Sequence, residues 1–142
     1  MKMQSLPCYC STLRQAARAA TALYEEVLAG AGVHATQFGA LHLIASAPNL
    51  TTTELAKAIG IDQTTATRTL ALIKRDGLAT DIVGQDRRQR RWSLTSKGRE
   101  ELRRSLSLWE KAQAAFEKRV GRSEAIALRK AAYTAAARLA SG

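Results

Sequence analysis

The chain has 142 residues, and 46% of them are hydrophobic, which is enough to build the core of one small domain with flanking helices. The 22 lysines and arginines outnumber 12 acidic residues, and the formal net charge of +10 favours a polyanionic partner, most often nucleic acid. No segment approaches the roughly 20 consecutive apolar residues of a membrane span, and the first ten residues lack the apolar run of a secretory signal. The sequence therefore predicts a cytoplasmic protein with no membrane partner.

Two helices are predicted at the start of the chain. Apolar residues recur at spacings of three and four from Cys10 to Ala29, and Gly30 follows as a stop signal. The same spacing on a smaller scale predicts a second helix from Thr36 to Ser46, which ends before Pro48.

The segment from Leu50 to Leu78 predicts two short helices joined by a tight turn. Thr51 and Glu54 have the spacing of a capping box, Gly60 provides the turn, and Asp62 can cap the next helix. This spacing is typical of a helix-turn-helix, whose second helix lies in the major groove of DNA. The buried face of that second helix is predicted to consist of Ala66, Leu70 and Ile73.

Polar side chains cover the outer face of this second helix near its start. Arginine can donate two hydrogen bonds to guanine, glutamine can pair with adenine, and threonine offers a methyl group to thymine. We therefore predict base reading by this face, the alternative being an ordinary amphipathic helix with a polar surface. The predicted DNA-binding residues are Gln63, Thr64, Thr65, Thr67 and Arg68.

A β-hairpin is predicted after the helix-turn-helix. Leu78 to Val83 and Arg91 to Thr95 have strand character, so Gly84 to Arg90 would form the loop and Trp92 an anchor. A hairpin at this place is a wing, and wings bring arginine to the DNA backbone or the minor groove. The alternative is a solvated loop.

Two long helices are predicted in the last third of the chain. An apolar stripe continues from Ser96 to Val120, Gly121 stops it, and Ser123 is predicted to cap the last helix. Because one small winged-helix core cannot cover both stripes, we expect them to pack against a second copy of the chain. A helical bundle within one chain is the alternative.

Two motifs, ELAKAIGIDQTTATRTLALIKRDGLA and DRRQRRWSLTSKGRE, resemble the multiple-antibiotic-resistance-regulator (MarR) family. The resemblance implies a mainly α fold: a winged helix-turn-helix with a small β-hairpin wing, plus N- and C-terminal dimerisation helices. Residues 33–95 would bind double-stranded DNA, and residues 1–32 and 96–142 would form a homodimer. Such a regulator would read a near-palindromic operator, and we expect it to act as a repressor.

The family wing usually contains the pattern D-x-R-D/S-x-R. Aligned through the shared SLT, the pattern falls on Val83, Gln85, Asp86 and Arg88, of which only Asp86 and Arg88 match. The resemblance assigns a structural role in the wing to Asp86. It favours Arg88 for the minor groove, with Arg87 and Arg90 as alternatives.

The resemblance also implies release of DNA by a small effector or by oxidation of a cysteine. The ligand would be a small aromatic or phenolic compound between the helical scaffold and the DNA-binding lobes. Tyr24, Phe38 and His42 are candidates for its pocket, although His42 can equally be an ordinary, partly buried histidine.

Cys8 and Cys10 are the only cysteines, and they stand near the start of the first predicted helix. There the helix dipole would lower a thiol pKa and raise its thiolate fraction. The pair could therefore be a redox sensor, a metal or metalloid site shared by two chains, or an interchain disulfide. Inert thiols are the alternative, and no other cofactor is expected.

Two rival classes remain. An enzyme is not expected, because the sequence has no glycine-rich phosphate loop and no H-E-x-x-H motif. A non-specific architectural DNA- or RNA-binding protein would share the basic charge and the arginine-rich hairpin. Competition between DNA sequences distinguishes a regulator from an architectural protein, since only a specific regulator should prefer its own site by orders of magnitude.

Overall fold

The computed structural model describes residues 7–86 and 89–141, which form a mainly helical chain with one two-stranded sheet. The predicted fold class is confirmed. In chain order the elements are α1 (Tyr9–Leu28), a short 3-10 turn (Ala29–Ala31), α2 (Ala35–Ser46), α3 (Thr52–Ile59), α4 (Gln63–Arg75), β1 (Ala79–Val83), β2 (Arg90–Leu94), α5 (Ser96–Val120) and α6 (Arg122–Ala140).

The chain forms two compact units. One extends from Leu28 to Leu108, and the other comprises the residues up to Val27 and from Trp109 onward. We call them the winged unit and the helical unit; α5 contributes its first half to the winged unit and its second half to the helical unit. The assignment of residues 33–95 to DNA binding and of the flanking residues to dimerisation remains a prediction.

One apolar core holds the winged unit together. Helices α2, α3 and α4 pack against each other and against the hairpin. The buried core consists of Ala40, Leu41, Ile44, Leu55, Leu70, Ile73, Leu78, Ala79 and Trp92. Trp92 is thus the predicted anchor, and its indole N–H donates to the Thr52 hydroxyl at 3.0 Å, which ties the wing to the start of α3.

The predicted cap at the start of α3 is confirmed in its first half: the Thr51 side chain caps the helix, whereas Glu54 contacts the Thr51 hydroxyl and not the Thr51 amide of a full capping box. The Glu54 amide donates to the Thr51 hydroxyl at 3.1 Å, and that hydroxyl donates to the Glu54 carboxylate at 3.0 Å. Gly60 ends the helix with φ +83°, a left-handed conformation that a side chain would disfavour. These two ends limit α3 to about two turns, as the sequence predicted.

The predicted boundaries of the last helix and of the wing strands are wrong; Leu78 and Thr95, which were predicted as strand residues, lie just outside β1 and β2. Ser123 does not cap the last helix, because the chain turns at Gly121, whose φ of +100° makes it the N-cap, and α6 begins at Arg122. Arg90 does not belong to the wing loop. It is the first residue of β2 and pairs with Val83 of β1, because the antiparallel register extends one residue further than the sequence indicated.

The short segment before α3 pairs with the wing. The Trp92 amide donates to the Leu50 carbonyl at 3.1 Å, and the Asn49 amide donates to the Trp92 carbonyl at 3.0 Å. Residues 49–51 therefore lie beside β2, on the side opposite to β1, and fix the hairpin to the helix-turn-helix.

The SLTSKG motif forms the joint between the wing and α5. The Thr95 hydroxyl donates to the Gly77 carbonyl at 2.6 Å and accepts from the Gly98 amide at 3.0 Å. Gly98 lies directly against the Leu78 carbonyl, so that a Cβ at this position would overlap it. Only glycine fits this approach of α5 to the end of α4.

The helical unit has little core of its own. Among its described residues, the buried hydrophobic side chains are Leu23, Ala112 and Ala125. Large apolar side chains on α1 and α6 are instead exposed, including Tyr9, Leu13, Ile126, Leu128, Tyr133 and Leu139. This unit therefore presents an apolar surface that remains exposed among residues 7–86 and 89–141.

Within residues 7–86 and 89–141, no single helix has the length and apolar composition needed to cross a membrane. Only the consecutive segments Tyr9–Ala31 and Ala35–Ser46, taken together, meet that condition.

Candidate nucleic-acid interface

The first two turns of α4 present a polar face. Gln63, Thr64, Thr67 and Arg68 are exposed. On the opposite side of the helix, Ala66, Leu70 and Ile73 are buried as predicted. The core therefore fixes the rotation of α4 and leaves these four side chains exposed.

Thr65 is placed differently from the other predicted readers. It is half-buried, its amide donates to the Asp62 carboxylate at 2.7 Å, and its hydroxyl donates to the same carboxylate at 3.0 Å. The hydrogen bonds from the Thr65 amide and hydroxyl hold the pKa of Asp62 below its ordinary value. Thr65 thus closes the cap of α4, and its predicted contact with a base remains a prediction.

A groove of about 430 Å³ lies where the starts of α3 and α4 meet the wing. We call it the wing groove. It brings together three predicted DNA-binding residues, Gln63, Thr67 and Arg90, that are up to 27 positions apart in the sequence. Its full lining is Thr51, Thr52, Thr53, Glu54, Gln63, Thr67, Gln89 and Arg90. Hydroxyls, amides and a guanidinium are the groups that proteins use to contact phosphate and sugar.

Arg90 is held by a carboxylate that the sequence analysis missed. Its guanidinium donates to one oxygen of Asp81 at 2.8 Å, and Lys74 of α4 contacts the other oxygen at 2.7 Å. Burial is the largest single influence on the pKa of Asp81 and raises it, but the hydrogen bonds and charges of Lys74 and Arg90 outweigh burial, so the net pKa is lowered.

The remaining wing predictions concern the tip of the hairpin. Arg87 and Arg88 lie outside the described residues. Asp86 is exposed, and its carbonyl accepts the Gln89 amide at 2.9 Å. The contribution of each arginine to DNA contact stays a prediction.

Cys8 and Cys10 are both exposed at the start of α1. Hydrogen bonds from the Ser11 amide and hydroxyl, and from the Cys10 amide, lower the pKa of the Cys8 thiol. Cys10 accepts a hydrogen bond from Arg14 at 3.4 Å. Among the described residues, no group of three or more His, Cys, Asp or Glu side chains could hold a metal ion.

The three predicted pocket residues belong to different units. Tyr24 lines a cleft of about 220 Å³ within the helical unit, together with residues of α5 and α6 such as Gln113, Phe116 and Arg129. Its hydroxyl donates to the Gln113 amide oxygen. Burial raises the pKa of Tyr24, with the positive charge of Arg129 opposing it.

Phe38 and His42 belong to α2 in the winged unit. Phe38 is buried in the single chain, and its ring stacks on the His42 ring with centroids 5.8 Å apart. His42 is exposed, and not partly buried as in the alternative interpretation.

Several side chains at this surface were not predicted. Thr52, Thr53 and Gln89 line the wing groove, and Asp81 and Lys74 support its edge. The predicted helix start at Thr51 already placed Thr52 and Thr53 in the first turn of α3, so these two threonines could have been assigned to this end of the helix. The Asp81 contacts depend on the register of the hairpin, which the sequence did not fix.

The comparisons with known proteins agree with this geometry. A family model described as MarR family matches residues 31–89. The chain is 38% identical to the M. tuberculosis transcriptional regulator MosR, solved in complex with DNA, and the match covers 90% of this chain and 98% of that one with a TM-score of 0.71. The chain belongs to the MarR family.

Members of the MarR family are transcription regulators and not enzymes, so this MarR-family protein is a DNA-binding regulator. A second MosR structure is 36% identical, with coverage of 90% and 97% and a TM-score of 0.75. A mutant E. coli MarR complexed with operator DNA shares the fold at 21% identity, with coverage of 87% and 90% and a TM-score of 0.74. No curated protein matches the sequence.

Proposed function

We propose that the protein is a homodimeric repressor that reads a near-palindromic operator through α4 and the wing groove. The observation that carries the proposal is the combined surface: exposed Gln63, Thr64, Thr67 and Arg68 beside a groove lined by hydroxyls and Arg90. The similar proteins MosR and E. coli MarR were solved with DNA, which supports the same use of this surface.

The exposed apolar side chains of the helical unit support a dimer. Leu139 and Tyr133 of α6 are 79% and 78% exposed, and Tyr9 of α1 is 92% exposed. Large apolar side chains that are exposed together on one unit of the fold indicate an interaction surface. In a two-fold dimer that reads a near-palindromic operator, the two copies of α4 would lie about 34–36 Å apart, the spacing of successive major grooves.

The operator can be found without knowing the regulated genes. We expect repeated selection from a random-sequence duplex library to enrich an inverted repeat. Its half-sites should be centred about 10–10.5 base pairs apart. Repression would appear as reduced transcription in vitro from the DNA that flanks the gene of this protein, and increased transcription would indicate an activator instead. A library that shows no enrichment would contradict sequence-specific reading.

Leu139→Lys is expected to convert the dimer to a monomer. The side chain is already 79% exposed in the single chain, so the substitution should not affect the fold of one copy, but it would bury a charge in the dimer. Sedimentation equilibrium should give twice 15.4 kDa for the unaltered protein and 15.4 kDa for the variant.

Ile82→Lys is the matched control, because Ile82 is 61% exposed on β1 of the winged unit and should leave the mass unchanged. If the unaltered protein already sediments as a monomer at micromolar concentration, the dimer is wrong.

For regulation we propose that oxidation at Cys8 or Cys10 weakens DNA binding. The lowered pKa of Cys8 and the exposure of both thiols support a reactive thiolate, which would attack one oxygen of hydrogen peroxide and form a sulfenic acid with release of hydroxide. Peroxide should lower operator affinity several-fold, and the Cys8→Ser/Cys10→Ser protein should not respond. Zinc or arsenite, whose thiolate site would need both chains, are the other reagents to compare. Equal affinity with and without all three reagents would leave the thiols inert.

A small aromatic effector is the second regulatory candidate. The cleft beside Tyr24 supports it, because apolar walls and the Tyr24, Gln113 and Arg129 polar groups could hold one ring with a phenol or carboxylate. Ala20→Trp should fill this cleft. If small phenols release DNA from the unaltered and the Ala20→Trp proteins alike, the effector binds elsewhere.

A non-specific architectural DNA- or RNA-binding protein is the alternative function. The net charge of +10 supports it as well as it supports a regulator. Equal affinity for the selected duplex, for scrambled DNA and for RNA would favour this alternative.

A further inference from the structure

Asp81 occupies an unusual place for a carboxylate. It lies on the same face of the hairpin as Trp92, with which it is paired in the register, and its side chain is only 4% exposed. Lys74 from α4 contacts one carboxylate oxygen at 2.7 Å, and Arg90 from β2 donates to the other at 2.8 Å. One buried charge therefore connects the end of the recognition helix with both strands of the wing.

The ion pairs of Asp81 with Lys74 and Arg90 are not expected to add much to the stability of the fold. Lys74 and Arg90 are themselves 51% exposed, and ion pairs whose partners reach solvent contribute only about 0–1 kcal/mol. The ion pair instead restricts the position of the Arg90 side chain, which must stay within reach of Asp81. Arg90 lines the wing groove together with Gln63 and Thr67. Its effect is thus expected in the geometry of the DNA-binding surface.

We propose that Asp81 is a positioning residue for DNA binding, whose carboxylate holds the wing against α4 through Arg90 and Lys74. The proposal rests on the proposed function of the wing groove and deepens it. Asp81 itself is not placed to touch DNA, since its partners cover both of its oxygens and its side chain is buried.

The sign of the effect separates positioning from general electrostatics. Asp81→Asn removes a negative charge from a protein that binds a polyanion, so electrostatics alone would raise the affinity and steepen its salt dependence. A displaced wing would instead lower the affinity and make it depend less on salt. We expect Asp81→Asn to lower affinity for the selected duplex by about tenfold and to reduce the salt slope.

Asp76→Asn is the matched control. Asp76 follows α4, is 45% exposed in its side chain, and pairs with Arg75 on the surface, so the same change in charge occurs in the same unit without touching the wing. Its affinity should equal or slightly exceed that of the unaltered protein. If Asp81→Asn binds as tightly as Asp76→Asn, with the same salt slope, the proposal is wrong.

Hydrogen exchange in the absence of DNA provides a second measurement that does not depend on the proposed function. The amides of β2 should exchange faster in Asp81→Asn than in Asp76→Asn, while the amides of α2 exchange equally in both. Equal exchange of β2 in the two variants would overturn the positioning role. Absence of any preferred duplex, with faster exchange still seen, would reject the proposed function but retain Asp81 as the residue that holds the wing.

Discussion

Arg68→Ala is expected to reduce affinity for the selected operator by about a hundredfold or more. The side chain is exposed on the second turn of α4, where it can donate two hydrogen bonds to a guanine. Loss of each such contact costs roughly 1–3 kcal/mol, and a dimer would lose two of them. Fluorescence anisotropy with the selected duplex and with a scrambled duplex at one fixed salt concentration measures this effect.

Arg75→Ala is the control for that prediction. Arg75 lies at the other end of the same helix with a side chain 71% exposed, and it pairs with Asp76. The two substitutions remove the same charge, so both should weaken binding to scrambled DNA slightly and equally. If Arg68→Ala lowers the affinity for both duplexes by the same factor, Arg68 contacts phosphate and does not read a base.

Gly98→Ala should have the largest effect on folding. The added Cβ would overlap the Leu78 carbonyl, which belongs to the backbone and cannot move aside without disturbing the joint made by Thr95. We expect the free energy of unfolding in urea, followed by circular dichroism, to fall by about 3 kcal/mol.

Gly39→Ala provides the comparison within the same unit. Gly39 is also a helical glycine, but a Cβ there would meet only the Ile59 side chain at 3.6 Å, an ordinary contact. This substitution should raise the free energy of unfolding by about 0.5–1 kcal/mol, because alanine favours the helix. Equal stability of the two variants would show that α5 does not approach Leu78 as closely as described.

Local signals predicted the helices and their ends well. Thr51, Asp62 and Gly60 each act through neighbours a few positions away, so their spacing is enough to locate the starts of α3 and α4 and the turn between them. The same holds for the buried side of α4, whose period is set by the helix itself. Ser123 failed as a cap because a glycine two positions earlier allows the sharper turn.

Long-range features could not be predicted from spacing. The link from Asp81 to Arg90 needs the register of the hairpin, and its third member, Lys74, comes from a different element. The wing groove likewise joins the starts of two helices with β2. The sequence did indicate Gln63, Thr67 and Arg90 separately, but their shared groove with Thr52 and Thr53 results from tertiary packing.

The central claim is that two identical chains place their recognition helices in neighbouring turns of one duplex. Hydroxyl-radical footprinting on the selected operator, with the protein-to-duplex ratio measured in the same samples, tests it most directly. We predict two chains per duplex and two protected patches related by a two-fold axis, about 10–10.5 base pairs apart. One protected patch with a single chain bound, or uniform protection along the duplex, would contradict the account.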